Sequence, residues 1–363
     1  MKALLVLEDG FALSGESFTG PIEGRGGEAV FNTSMTGYEE LLTDPVCKGQ
    51  MLCLTYPLIG NYGINARDME SDDVQVSALL VRECCKEPSN WRSEESLPNF
   101  LMRHGIPGVE GLDTRALARH LLKAGSQRAF LSTAISDVEE LAAEARSLPP
   151  FGEQNFVSSV AAKGIRRWED GKAVPAELNA DGFYAWRTGG PHVVVMDFGV
   201  RRGFLRLLSG YGMELLIVSP SFSAEQILRL GSDALVYSDG PGNPALLKKE
   251  AEESVKMIGS LPMAGTGLGF HLLGIALGGN TERLSHGRHG VNCPVRDLRT
   301  GKVAITAQNC NYRLLSPEGV EITHANLNDG SVEGFRYPSK PLFARQPIAD
   351  AAFAEDLLAM IGK

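Results

Sequence analysis

At 363 residues, 43% of them hydrophobic, the chain is long enough for two domains with separate cores, and its composition excludes a disordered protein. A net charge of −9 without a run of like charges excludes a nucleic-acid footprint, because the basic pairs Arg166-Arg167 and Arg201-Arg202 are too short to neutralise successive phosphates. No segment approaches the roughly 18 apolar residues of a membrane span, and "MKALLVLEDG" meets Glu8 and Asp9 too early for a signal peptide; a soluble, cytoplasmic protein without membrane contact is expected.

Residues 1 to 140 read as rich in β structure, with turns marked by Asp9-Gly10, Gly26-Gly27 and Gly60-Asn61 and with helical patterns over 97–104 and 114–124. Six scattered cysteines without an export signal read as free buried thiols. The stretch 147–190 has little periodicity and many turn formers, and suits a long connection at a domain junction. From His192 the pattern alternates. Apolar strands over 192–199, 213–219, 233–240 and 261–264 are separated by helices over 201–209, 224–230 and 244–258, and another helix covers 268–277. Such alternation predicts an α/β doubly wound parallel sheet. Further strands fall within 302–309 and 319–327, and a last helix spans 350–361. The boundaries expected are therefore a first domain over 1–146, a linker over 147–190 and a second domain over 191–363.

Ligands of such sheets bind outside the carboxyl ends of the strands. Two glycine-rich stretches fall there, "SDGPGNP" (238–244) and "GTGLGFHLL" (265–273). Gly240 and Gly242 would let backbone N–H groups approach a ligand closely, as an oxyanion hole requires, although a plain turn has the same composition. The second stretch has the frame of a nucleophile elbow, a sharp strand-to-helix turn whose central residue carries the reactive side chain. Here that central residue is Gly267.

Several segments, in order along the chain, resemble one family, the small subunit of carbamoyl phosphate synthetase. They are "LEDG" (7–10), "VFNTSMTGYEELLTDP" (30–45), "LTYPLIGNYG" (54–63), "GLDTRALARHL" (111–121), "DFGVRR" (197–202), "SDGPGNPA" (238–245), "HGRHGVNCPVRD" (286–297), "ITAQN" (305–309) and "LNDGSVEGFR" (327–336). The resemblance implies an N-terminal β-rich mixed domain followed by a class I glutamine amidotransferase-like, flavodoxin-like sheet. It also implies a chemistry. A cysteine attacks the glutamine side-chain amide, a histidine oriented by a glutamate moves the protons, and backbone N–H groups hold the oxyanion.

Laid on this sequence, the family's elbow, Gly-Ile-Cys-Leu-Gly-His-Gln, puts Gly267 at the nucleophile and Phe270 and His271 in place of the following histidine and glutamine. Its His-Pro-Glu falls on Gln346-Pro347-Ile348, so Gly267, Gln346 and Ile348 occupy a triad with no catalytic side chain left. Gly240, Gly242 and Leu268 take the oxyanion and pocket-backbone positions. The resemblance implies that Val46, His271, Asn309, Asn311 and Tyr312 would line a vestigial glutamine pocket, with Val46 in place of a serine and Gln308-Asn309-Cys310-Asn311-Tyr312 in place of Gln-Asn-His-Gly-Phe.

Other residues could supply a replacement. Thr266 adjoins the vacant position, but side chains next to each other in such a turn diverge, and no histidine activates it. Cys293 with His289, and Cys310 with His286 and His324, lack the close spacing of a metal site, so no metal is expected. The resemblance implies a large-subunit partner that binds ATP and Mg, with no cofactor on this chain. The expected function is a glutaminase-inactive partner of an ammonia-using synthetase in arginine and pyrimidine precursor synthesis. Two alternatives remain: a module sensing a glutamine-like small molecule in the old pocket, and a glutamine-hydrolysing subunit using other residues.

Overall fold

The computed structural model describes residues 1–315 and 317–362, in two compact units. The first holds Met1–Gln154 and Leu284–Gly290; the second holds Asn155–Arg283 and the chain from Val291 on. No helix among the described residues is long and apolar enough to cross a membrane.

The first unit is built on a closed barrel. Its strands run, in spatial order, Lys2–Leu7, Ala12–Ser17, Gly108–Glu110, Ala78–Leu80, Gln50–Leu54, Arg25–Asn32 and Gln127–Ser132, which returns to the first. Closure removes the exposed edges that so many short strands would otherwise present. Leu5, Ala29, Met51, Leu80 and Leu131 are buried in one cluster with Leu117 and Leu121 of the helix Thr114–Ala124. That helix starts where Asp113 accepts a hydrogen bond from the Ala116 N–H at 2.9 Å, an N-cap readable in the sequence.

Gly26-Gly27, expected as a turn, lies inside the strand Arg25–Asn32. Packing is the reason. A Cβ on Gly26 would sit 2.6 Å from Leu148 Cδ2, and one on Gly27 would sit 3.0 Å from the Gly49 carbonyl oxygen. The two glycines admit close neighbours and do not reverse the chain.

The second unit contains the expected doubly wound sheet. Five strands, Glu214–Val218, His192–Met196, Ala234–Tyr237, Met263–Thr266 and Leu342–Arg345, lie parallel in that spatial order. Numbered along the chain this is 2-1-3-4-5, the flavodoxin-like order, with its topological switch point between the first and third strands. The central strands are buried apolar runs such as Val193 to Met196, as a sheet covered on both faces demands. Residues 147–190 contain two strands, Ile165–Glu169 and Lys172–Pro175, which form a hairpin on the edge strand Glu214–Val218. At the other edge the sheet continues antiparallel through Val332–Tyr337, Val303–Leu315, Asn280–Asp297 and Glu321–Asn326. The helix expected over 244–258 divides into a short 3₁₀ turn, Pro244–Leu246, and a helix, Lys248–Met257.

Candidate functional site

The strand Met263–Thr266 turns at Gly267 directly into the helix Leu268–Ala276. Gly267 has φ 53° and ψ −114°, a left-handed conformation that an L side chain adopts only under strain. The elbow geometry is therefore intact. Its tightness depends on a second glycine, because a Cβ on Gly269 would collide with the Tyr237 carbonyl. The helix behind it is apolar on nearly all sides, with Leu268, Phe270, Leu272 and Leu273 buried in the core of the second unit.

The neighbouring crevice loop, 238–244, follows the strand Ala234–Tyr237. Ser238 joins it to the surroundings: its carbonyl accepts from the Gly269 N–H at 3.0 Å, and its Oγ accepts from the Phe198 N–H at 2.9 Å. Gly240 is also sterically required, since a Cβ there would collide with the Phe198 carbonyl. The Gly240 N–H donates to Asp239 Oδ1 at 2.8 Å. The Leu268 N–H, at the start of the elbow helix, donates to the same oxygen at 2.9 Å. Thus two backbone donors from loops far apart in sequence converge on one atom.

Asp239 lies where a nucleophile would begin. A Cβ on Gly267 would be 2.5 Å from Asp239 Oδ2 and closer still to Oδ1 and Cγ, inside van der Waals contact. The carboxylate is only 7% exposed, and Arg201, itself 9% exposed, approaches Oδ2 at 3.4 Å. Arg201 follows the first parallel strand and Asp239 the third, so this ion pair spans the switch point of the sheet. The loop carrying Arg201 is fixed in turn by Asp197, whose Oδ1 accepts from the N–H groups of Gly199 and Val200 at 2.9 and 2.7 Å. Burial pushes the Asp197 carboxyl above its ordinary range, against those hydrogen bonds.

The segment aligned with the other two triad positions does reach the elbow. Thr266 pairs with Arg345, the Gly267 N–H donates to the Arg345 carbonyl at 3.2 Å, and Thr266 Oγ1 donates to the Pro347 carbonyl at 3.2 Å. Gln346 follows Arg345 and is buried; among the described residues its Oε1 has no hydrogen-bond partner. The Ile348 N–H donates to the Ala307 carbonyl at 3.0 Å. Pro347 and Ile348 border a cavity of about 350 Å³ with Val295, His324, Arg345 and Phe353. Its lining includes charged groups, so Ile348 is not in purely apolar surroundings.

His271, buried at 3% exposure, meets the Phe270 ring edge-on with centroids 5.0 Å apart. Asn309, Asn311 and Tyr312 are all buried on the strand Val303–Leu315. Strand alternation puts the two asparagines on one face and Tyr312 on the other, so they do not line one surface. Gly242 has φ 91° and shapes the crevice loop. Val46 is buried in the 3₁₀ turn Pro45–Cys47 of the first unit, where its N–H donates to Asp44 Oδ1. Cys310 is buried and Cys293 half-buried. Burial holds the His324 imidazole down to about 4, so it is neutral near pH 7.

Sequence reasoning missed Asp239 and Arg201. Both lay inside the motifs quoted, and the signal available was an acid in a glycine-rich loop beside an elbow that has no side chain.

A 2-1-3-4-5 sheet with a strand-turn-helix elbow and converging backbone donors defines an α/β unit of the nucleophile-elbow type. The comparisons are more specific. The family model "Carbamoyl-phosphate synthase small chain, CPSase domain" matches residues 5–131, and "Glutamine amidotransferase class-I" matches residues 194–346. Carbamoyl phosphate synthase small chains from two strains of Nitratidesulfovibrio vulgaris are each 51% identical over 354 residues, covering 97% of this chain and 94% of theirs. That of Solidesulfovibrio magneticus is 46% identical over 355 residues, with the same coverage. The chain belongs to the carbamoyl phosphate synthase small-chain family.

Proposed function

We propose that this small chain does not hydrolyse glutamine and acts as the structural and regulatory partner of a synthetase large subunit supplied with free ammonia. The observation that carries the proposal is the state of the elbow: position 267 has no side chain, and the space a nucleophile would enter is filled by the Asp239 carboxylate. The flanking positions agree with it. Gln346 cannot serve as a proton carrier at neutral pH, and Ile348 cannot orient one.

The intact barrel and the small-chain match over 5–131 support retention of a large-subunit partner. On this reading ATP, Mg and bicarbonate are handled by that partner, which makes carbamoyl phosphate for arginine and pyrimidine synthesis. The test is ammonia release from glutamine by the chain alone and with a cognate large subunit, beside ammonium-fed carbamoyl phosphate synthesis by the pair. No release above a no-enzyme control, with synthesis from ammonium, is expected. Glutamine-dependent release that a thiol-alkylating reagent abolishes would overturn the reading and implicate Cys293 or Cys310.

A second reading, a module that senses a small molecule, rests on the cavity bordered by Pro347 and Ile348, whose lining includes none of Val46, His271, Asn309, Asn311 and Tyr312 and so is not the glutamine pocket. Two separate peaks on size-exclusion chromatography with the large subunit at micromolar concentration would favour this alternative.

A further inference from the structure

An oxyanion receptor is recognised by donors aimed at one point, not by the side chain that attacks a substrate. In this chain the Gly240 and Leu268 N–H groups point at one oxygen from different loops, and both distances, 2.8 and 2.9 Å, are those of well-formed hydrogen bonds. Leu268 opens a helix of nine residues, so the partial positive charge of the helix N-terminus adds to the same field. The Arg201 guanidinium stands at 3.4 Å from the second oxygen. A carboxylate held this far from water is costly unless its oxygens are matched by such donors. Asp239 supplies that carboxylate, and supplies it from the residue next to one of the donors.

We propose that the elbow cradle is a carboxylate-binding site whose permanent occupant is the chain's own Asp239, and that this internal ligand closes the site to external carboxylates and acyl groups. The inference deepens the preceding function and rests on it for the location of the site. It adds a residue, Asp239, that blocks the site independently of the side chains missing at positions 267, 346 and 348.

Removing the internal ligand should leave a receptor for a small carboxylate, and formate is the probe. Asp239→Ala is melted in increasing sodium formate and, as a control, in sodium chloride at equal ionic strength. Its melting temperature should lie below that of the parent and rise saturably with formate, by on the order of 2–4 °C beyond the chloride control. The parent, whose cradle is full, should show no formate-specific rise. Nor should Asp239→Asn, whose amide oxygen can still accept from both N–H groups. Arg201→Ala combined with Asp239→Ala should lose most of the formate response. If Asp239→Ala accumulates only unfolded, folded yield on refolding in formate against chloride becomes the readout, with a formate-specific gain expected.

Formate responses equal to those in chloride, or a parent that responds as strongly as Asp239→Ala, would overturn the proposal. Glutamine turnover by the parent is measured separately: its presence defeats the preceding function, whereas a formate-blind Asp239→Ala defeats this inference alone.

Discussion

Placing a thiol at the elbow by Gly267→Cys should destabilise the second unit before it does anything for catalysis. A side chain at φ 53° and ψ −114° is strained by roughly 1–3 kcal/mol. The new Cβ would also overlap the Asp239 carboxylate, so the carboxylate must leave. Losing even one of its charge-assisted bonds to the Gly240 and Leu268 N–H groups costs roughly 1.5–3 kcal/mol. Together these put the destabilisation at roughly 2.5–6 kcal/mol, a large share of the roughly 5–15 kcal/mol by which domains are stable. The assay is urea denaturation followed by circular dichroism, on the parent, Gly267→Cys, Asp239→Ala and the double variant. Because Asp239→Ala removes the group that clashes, the double variant should cost less than the sum of the singles by at least about 1.5 kcal/mol. Gly267→Cys within about 0.5 kcal/mol of the parent, or strict additivity with Asp239→Ala, would refute this overlap of Cβ and carboxylate. A thiol that did coexist with the carboxylate would be held above its ordinary value of about 8.5, and so be a poor nucleophile.

Three further outcomes follow from the same physics. Gly267→Cys with Gln346→His and Ile348→Glu should still release no ammonia from glutamine, and the first measurable release should require Asp239→Gly as well, since catalytic groups acting as a unit are strongly non-additive; family-level turnover in Gly267→Cys alone would contradict this. In the first unit, burial pushes the Glu39 carboxyl up to about 8 from its usual 4.5, with hydrogen bonds from the Asn65 N–H opposing. Between those values the unfolded chain holds fewer protons than the folded one, so stability should fall as pH rises across that window; Glu39→Gln should flatten the trend, read from urea midpoints at about pH 5 and about pH 8. Phe270→Ala empties a fully buried site behind the elbow and should cost about 3–5 kcal/mol by the same denaturation assay, and a cost under about 1 kcal/mol would contradict the packing described.

Sequence by itself determined what depends on short-range pattern. The alternation of strands and helices from His192 on fixed the doubly wound class, because period and chain reversal are local properties. The helical pattern over 114–124 was legible for the same reason and matches the helix Thr114–Ala124. The absence of a side chain at the elbow was visible as Gly267. The tertiary structure decided whatever depends on which distant segments meet. Gly26-Gly27 became part of a strand because Leu148 and Gly49 crowd it, and neither contact has a local signature. The hairpin of Ile165–Glu169 and Lys172–Pro175 formed on an edge whose unpaired backbone groups only the folded sheet presents. Above all, Asp239 fills the empty elbow because its loop and the Gly267 turn end two neighbouring parallel strands, Ala234–Tyr237 and Met263–Thr266. The sequence shows a glycine where a nucleophile is expected; only the packing of two strand ends puts a carboxylate, and the donors that hold it, into the same space.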